Sequence, residues 1–396
     1  GAGDVDPKDR AYSFTGTTAG TGVRAFPLYE VPTIPPQSIA QVRHAGLANS
    51  GYLPHFAYTA GESWAHPLLP RDKVVETTTP QSSAYLDHSW LANTELWDSW
   101  FFSTICSYEG PAFGSNEQAM EDVLREFLTG EQPLLNARLD PRVITDAEAS
   151  ALATELAGAG DAYQKTARHL WVKGPFNVNS LSVNAWKAVL SSLNKTEITY
   201  TTSGNDQNWS TRTEVREQAE RPLPRHRRPA GPLVDENSSR EDRWRGFRGL
   251  EEDELDALAA SICAVIRERG PFLSLADFVN RDPESSVLDQ ALHGALQEAI
   301  DRSGVNSIFN SGLGGDGRDI PLAEVQADGF AFPEAIAGDN FQGAPSYLSQ
   351  GDILSALGTV PTVHSDTFRI RSYGESLRGG VVVARAWCEA IVQRTP

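Results

Sequence analysis

Ser63 is the first residue whose surroundings suggest catalysis. It lies in residues 61–65, Gly-Glu-Ser-Trp-Ala, one residue short of the G-x-S-x-G elbow that holds a nucleophilic serine in a strained turn. That elbow needs a buried strand before it and a helix after it, whereas Ala65 is followed by His66 and Pro67. We therefore interpret the segment as a surface turn. A secreted hydrolase using Ser63 with an N-terminal histidine is kept as an alternative.

Histidines and aspartates supply the candidate metal ligands. The N-terminal part contains His44, His55, His66 and His88, without a chelating spacing such as H-x-x-x-H. Asp4, Asp6 and Asp9, and separately Asp316 and Asp319 in a glycine-rich loop, could offer oxygen ligands to Ca²⁺. Neither group completes an EF-hand loop, so turns are favoured, with Asp316 and Asp319 kept as a candidate Ca²⁺ site. The glycine-rich loop lacks a Gly-Lys-Ser/Thr ending, and no other cofactor is predicted.

The tryptophans allow two interpretations of their role. A carbohydrate-binding envelope module presenting Trp64, Trp90 or Trp97 as stacking faces is a further alternative. The favoured reading is a core helix, because apolar residues recur three and four apart from Asn93 onward. Its predicted buried stripe consists of Leu96, Trp97, Trp100 and Phe101.

Composition limits the partners. The 396 residues include 34 Lys+Arg against 52 Asp+Glu, a formal net charge of −18 that disfavours nucleic acid. The three cysteines are widely spaced, so at most one disulfide and no metal-thiolate cluster is expected. No apolar run is long enough to span a bilayer. Because the chain starts at Gly1 and its only methionine is Met120, we expect any signal or membrane-anchoring helix to lie upstream.

Changes in composition along the chain predict five segments. Residues 1–90 read as irregular and β-rich, 91–202 as a helical and mixed segment, 203–245 as a flexible linker or loop, 246–305 as a three-helix module, and 306–396 as a loop plus a C-terminal β-hairpin. The basic run at 221–228 lies in the predicted linker and reads as a solvated loop. In the helical module, Leu288, Leu292, Leu296 and Ile300 suggest one continuous helix.

The predicted fold class is α+β, since helices and strands occur in separate blocks. The helical unit has a helix-hairpin-helix or SAM-like pattern. The hairpin is expected to turn near residues 377–380 and to join a pilin-like sheet, with Phe368, Ile370 and Val382 on one packed apolar face.

Three stretches resemble the type II secretion system protein K family, whose members are minor pseudopilins. They are Gly-Pro-Phe-Asn-Val-Asn-Ser at 174–180 with the helix that follows, Phe-Leu-Ser-Leu-Ala-Asp-Phe-Val-Asn-Arg at 272–281, and Ser-Asp-Thr-Phe-Arg-Ile-Arg at 365–371. Over nearly its whole length the chain resembles the C-terminal portion of the Verru_Chthon cassette protein A family, including Pro-Leu-Tyr-Glu-Val-Pro at 27–32 and Leu-Trp-Asp-Ser-Trp-Phe-Phe at 96–102.

This resemblance implies an exported protein, periplasmic or extracellular, whose precursor carries a pilin-like cleavage site and an apolar helix. It supplies no catalytic residues. We therefore expect a non-catalytic, pseudopilin-like structural and interaction protein of the cell envelope. One form of this hypothesis places it at the tip of a short pseudopilus. The expected partners are sister pilin-like subunits, with contact to the membrane only through the missing N-terminal helix.

Overall fold

The structure is a computed structural model. It describes residues 30, 34–43, 60–77, 84–107, 117–142, 145–193, 196–203, 209–214, 221–309, 319–327, 329–339, 342–365 and 367–393. Within these residues, no helix combines the length and apolar character needed to cross a membrane.

Helices and short strands follow one another along the chain. The helices are α1 His88–Leu96, α2 Met120–Thr129, α3 Asp146–Gly158, α4 Ala162–Thr166, α5 Val183–Leu190, α6 Arg240–Arg245, α7 Glu252–Arg269, α8 Leu275–Val279, α9 Leu288–Leu292, α10 Ala295–Ser303, α11 Leu322–Ala327 and α12 Gln350–Leu357. The strands are β1 Val75–Thr77, β2 Ala84–Leu86, β3 Leu139–Pro141, β4 Leu170–Val172, β5 Phe176–Asn177, β6 Ile198–Ser203, β7 Trp209–Glu214, β8 Arg221–Leu223, β9 Leu233–Val234, β10 Phe247–Leu250, β11 Asp319–Ile320, β12 Gly338–Asp339, β13 Pro361–Thr362, β14 Thr367–Arg378 and β15 Val381–Gln393.

The sheets are small, and the general α+β class is confirmed. The described strands form six two-stranded pairs and one three-stranded sheet with the order β8-β10-β9. Most pairs are antiparallel, while β9 runs parallel to β10 and β13 runs parallel to β5. None of these sheets is large enough to organise the molecule, so the helices supply the core.

The main core is built around α7. Its buried face consists of Leu255, Leu258, Ala259, Ile262, Val265 and Ile266, and it packs against α5 and α10. Acidic residues occupy its first turn and arginines its last turn, which complements the helix dipole. All five predicted segments contribute buried side chains, from Ile39 in the first to Leu357 in the last.

A smaller core lies between α2 and α3. It buries Leu124, Phe127, Leu128, Leu139, Ala149, Ala153 and Leu156. Thr145 and Glu148 form the capping box of α3, and α2 ends at Gly130 with a φ of 77°.

The predicted continuous helix through Leu288 and Ile300 is wrong, because the chain breaks at His293 and Gly294 between α9 and α10. Ala65 N–H donates to the Leu292 carbonyl at 2.8 Å, and Gly294 N–H donates to the Ser63 carbonyl at 3.1 Å. These tertiary hydrogen bonds replace those of a continuing helix. The predicted three-helix module therefore contains four helices, α7 to α10.

The prediction of a flexible linker at 203–245 does not hold for residues 221–245. The buried side chains of this segment include those of Arg221, Leu223, Arg225, His226, Val234, Arg243, Trp244 and Arg245. Strand β8, residues Arg221–Leu223, pairs with β10. The basic run is therefore not a solvated loop. Arg221 and Arg225 are held inside the protein by carboxylates and carbonyls that are distant in sequence, whereas Arg228 is exposed.

The C-terminal hairpin forms as predicted, but the prediction of its packing is wrong. β14 and β15 pair antiparallel around a turn at Gly379 and Gly380, with a bulge between Ser376 and Leu377. Among the described residues, no further strand joins this two-stranded sheet. Phe368 and Ile370 are 48% and 52% exposed, so the expected apolar face is not covered. We call residues 367–393 the ribbon.

Candidate functional site

Ser63 has a structural position rather than the predicted surface turn. The side chain is buried, and its Oγ accepts a hydrogen bond at 2.7 Å from the backbone N–H of Arg281. His66, two residues before Leu68, accepts at Nδ1 from the Leu68 N–H at 3.1 Å and stacks on Tyr85. Both side chains thus hold the backbone of residues 60–70 in place.

The candidate metal ligands remain a prediction. Asp316, Asp4, Asp6, Asp9, His44 and His55 lie outside the described residues. Asp319 begins β11 and pairs with Asp339 in β12. In the part of the chain that the structure describes, no group of three or more His, Cys, Asp or Glu residues could hold a metal ion.

The proposed stacking tryptophans are not presented to solvent as a set. Trp97 is buried, while Trp64 and Trp90 are half-buried, and Trp64 meets the ring of His293 edge-on. The predicted core stripe is also wrong in part, because Trp100 is 53% exposed and Phe101 is 41% exposed. Trp100 stacks on the exposed Tyr163 with a centroid separation of 5.7 Å.

Two asparagines join the three stretches that carry the resemblance to protein K. Asn179 Nδ2 donates to the Phe272 carbonyl at 2.9 Å, and the Phe272 N–H donates to Asn179 Oδ1 at 2.7 Å. Asn177 Nδ2 donates to Ser365 Oγ at 2.8 Å, immediately before the ribbon. These polar side chains therefore connect segments of the fold and fix the base of the ribbon.

The stretch at 96–102 is hydrogen-bonded to the stretch at 272–281. Both carboxylate oxygens of Asp98 accept from the first N–H groups of α8, at 2.8 Å from Leu275 and 2.9 Å from Ala276. Ser274 caps the same helix by accepting from Asp277 N–H at 3.0 Å. Asp98 satisfies donors that a helix N-terminus otherwise leaves unpaired, which is a structural role.

A buried ionic cluster, defined by Arg43, Glu62, Arg225 and Asp352, lies at the start of α12. Arg43 Nη1 donates to Asp352 Oδ1 at 2.7 Å, and Arg225 donates to both carboxylate oxygens of Asp352. Burial opposes ionisation of Asp352, but Arg225 and Arg43 outweigh it and lower its pKa. Sequence reasoning missed this cluster because its members are far apart along the chain.

Glu62 is the member of the cluster whose carboxylate is only partly satisfied by hydrogen bonds. Ser349 Oγ donates to Glu62 Oε1, whereas Glu62 Oε2 is buried without a hydrogen-bond partner. Burial, and then the nearby charge of Asp352, raise the pKa of Glu62. Through its hydrogen bond with Ser349, Glu62 connects residues 60–65 to α12.

A cavity of about 170 Å³ adjoins the cluster and is lined in part by Arg43, Arg225 and Arg227. Arg227 donates to Gln41 Oε1 at 2.7 Å and to the Pro35 carbonyl at 3.3 Å. Since Arg43 and Arg225 already donate to Asp352, we assign no ligand to this cavity.

The ribbon is the remaining candidate, and its two faces differ in chemistry. One face carries no charge and is built from Phe368, Ile370, Ser372, Gly374 and Ser376 on β14 opposite Val392, Ala390, Cys388, Ala386 and Ala384 on β15. We call this the uncharged face. Cys388 is exposed and free, which shows that the centre of the face is open to solvent.

The opposite face is held together by ion pairs and an aromatic pair. Glu389 lies 2.6 Å from Arg371 and 3.4 Å from Arg369, and Arg385 lies 3.2 Å from Glu375. Tyr373 lies directly opposite Trp387 between these charges. Such exposed pairs contribute little stability, but their charges distinguish this face, the charged face, from the uncharged face.

Comparison of the chain with protein-family models, curated proteins and solved structures gives no match.

Proposed function

We propose that this protein is a non-catalytic, pseudopilin-like structural and interaction protein of the cell envelope, which assembles with sister pilin-like subunits through the ribbon. The observation that carries the proposal is an exposed two-stranded ribbon with one uncharged, largely apolar face. An isolated two-stranded hairpin is marginally stable in water, and contiguous exposed apolar surface marks interaction sites. A partner that covers the uncharged face would remove both deficits.

The motif residues support the same proposal. Asn177, Asn179 and Asp98 are engaged in hydrogen bonds that connect backbone segments, and Ser63 is buried against Arg281. Arg221 and Arg225 are buried, which reduces the solvated positive charge that residues 221–228 offer to nucleic acid. The proposed partners are therefore proteins.

Site-specific photocrosslinking in the host cell tests this function. A photoreactive amino acid replaces Ile370 on the uncharged face of the complete gene product, and Leu181 serves as the matched control because the two side chains are 52% and 51% exposed. The expected result is an adduct from position 370, absent from position 181, whose partner mass spectrometry identifies as a pilin-like envelope protein. Identical adducts from both positions, or none from position 370, would contradict the proposal.

A further inference from the structure

The free edge of β15 has a charge pattern that is complementary to itself. Among the described residues, β15 pairs with β14 on one side and with no strand on the other. Its only charged residues are Arg385 and Glu389, placed symmetrically two positions before and two positions after Trp387. In an antiparallel pair, residues equidistant from the central position lie opposite each other.

We propose that two copies of this chain pair antiparallel through their β15 edges, centred on Trp387, to form a continuous four-stranded sheet. In this register Arg385 of one copy lies opposite Glu389 of the other, and the contact occurs twice by symmetry. Trp387 lies opposite its own copy, Ala386 lies opposite Cys388, and Ala384 lies opposite Ala390. The inference rests on the proposed function and specifies a second copy as the partner at one edge of the ribbon.

The ion pairs already present extend this register. Within one ribbon Arg385 contacts Glu375, and Glu389 contacts Arg371. Across four strands the charges would then alternate, from Glu375 to Arg385 of one copy and on to Glu389 and Arg371 of the other. The adjacent row would consist of the two Tyr373 and Trp387 pairs side by side, an aromatic arrangement that is favourable across strands.

The other edge of the ribbon is less suited to self-pairing. An antiparallel pair of β14 strands centred on Tyr373 would also match Arg371 with Glu375, but it would place Arg369 opposite Leu377 and Arg378 opposite Phe368. Charged residues on an exposed edge are a common protection against unwanted pairing. The residues that flank the central seven of β15 are Val382, Val383, Ile391 and Val392, all apolar. β15 is therefore the edge that a second copy pairs with.

Complementary charge variants test both the partner and the register. Arg385→Glu makes both charged positions of β15 acidic, and Glu389→Arg makes both basic. Each variant alone places like charges opposite each other in the proposed register, so sedimentation of each purified chain should show self-association weakened by about tenfold or more. An equimolar mixture of the two variants should recover association, since every contact then joins opposite charges.

Two experimental results would contradict the proposed pairing. Both variants also lose an ion pair inside their own ribbon, so ribbon damage alone would leave the mixture as weak as each variant. That result, or a wild-type chain that is monomeric at high concentration, would overturn the inference. Crosslinks from position 370 to pilin-like proteins would leave the proposed function standing in that case, because they report on the uncharged face and not on the β15 edge.

Discussion

Arg225 holds Asp352 through two hydrogen bonds, from Nε to Oδ1 at 3.2 Å and from Nη2 to Oδ2 at 3.1 Å. Both side chains are buried, and Arg43 contacts the same carboxylate from residues 34–43. Asp352 also accepts from Ser349 N–H at 2.9 Å at the start of α12. One carboxylate therefore joins three parts of the chain that are distant in sequence.

Asp352→Asn should lower the free energy of unfolding by about 3–5 kcal/mol, because it leaves two buried guanidinium groups without their counter-ion. Glu62→Gln is the matched control in the same cluster. Since burial raises the pKa of Glu62, folding disfavours its ionised form, and removing that charge should cost less than about 1.5 kcal/mol. Urea unfolding at pH 6 measures both, and equal losses would show that the two carboxylates have been assigned the wrong roles.

His226→Gln should reduce the acid sensitivity of the protein. Burial, followed by the charges of Arg225 and Arg43, lowers the pKa of His226 from 6.5 to about 3. Between these values the unfolded chain binds a proton that the folded chain does not, so stability is present above pH 6.5 and is lost as the pH falls towards 3. The slope of unfolding free energy against pH should decrease by up to about 1.4 kcal/mol per unit.

Unfolding of wild type and the His226→Gln variant at several values between pH 4 and 6 measures that slope. His293, whose pKa burial also lowers to about 3, is present in both proteins and keeps part of the dependence. Glu62 acts in the opposite direction, because its pKa is raised and its contribution to stability is lost as the pH rises through that pKa. This contribution is the same in both proteins and cancels in the comparison. Parallel curves for the two proteins would refute the role of His226.

Gly351→Ala should destabilise the protein by about 1–3 kcal/mol through overpacking. A Cβ at this position would lie 2.5 Å from Glu62 Oε1 and 3.1 Å from Arg43 Nη1, inside the ionic cluster. Gly158→Ala is the control, because it lies in α3 with no atom within 4 Å of the added Cβ and should stabilise by about 0.5–1 kcal/mol. Thermal melting distinguishes the two signs, and a neutral Gly351→Ala would argue against the close approach.

Trp186→Ala should cost about 3–5 kcal/mol, since Trp186 is fully buried and packs edge-on against Phe176. Trp100→Ala removes a ring that is 53% exposed and stacked on one neighbour, so its cost should be about 1 kcal/mol or less. Denaturant unfolding of the two variants checks this difference. A large loss at Trp100 would restore it to the core, where the sequence pattern placed it.

Deleting residues 366–396 should leave the melting temperature within about 2 °C of the full chain at low protein concentration, because the ribbon covers little of the core. This reverses the expectation from the strand pattern alone, which placed Phe368, Ile370 and Val382 on a packed apolar face. Differential scanning fluorimetry with gel filtration measures the effect. A loss of monodispersity or a large fall in melting temperature would show that the ribbon is part of the core.

Local chemistry was readable from the sequence. The 3.6-residue period of α7, the capping box at Thr145 and Glu148, the stop at Gly130 and the alternating hairpin of β14 and β15 each depend on neighbours within a few residues. Such signals act through short-range backbone geometry, and they sufficed for the α+β class. They carried no information on which faces of these elements pack together. For that reason they predicted neither the exposure of Trp100 and the ribbon nor the break at Gly294.

The sequence by itself determined α7, the capping box of α3, the end of α2 and the alternation that separates the two faces of the ribbon. Only the tertiary structure decided that Arg225 is buried while Trp387 is exposed, against the usual preference of each residue type. The physical reason is that burial of a charge depends on a partner such as Asp352, 127 residues away, whose position the local sequence does not encode.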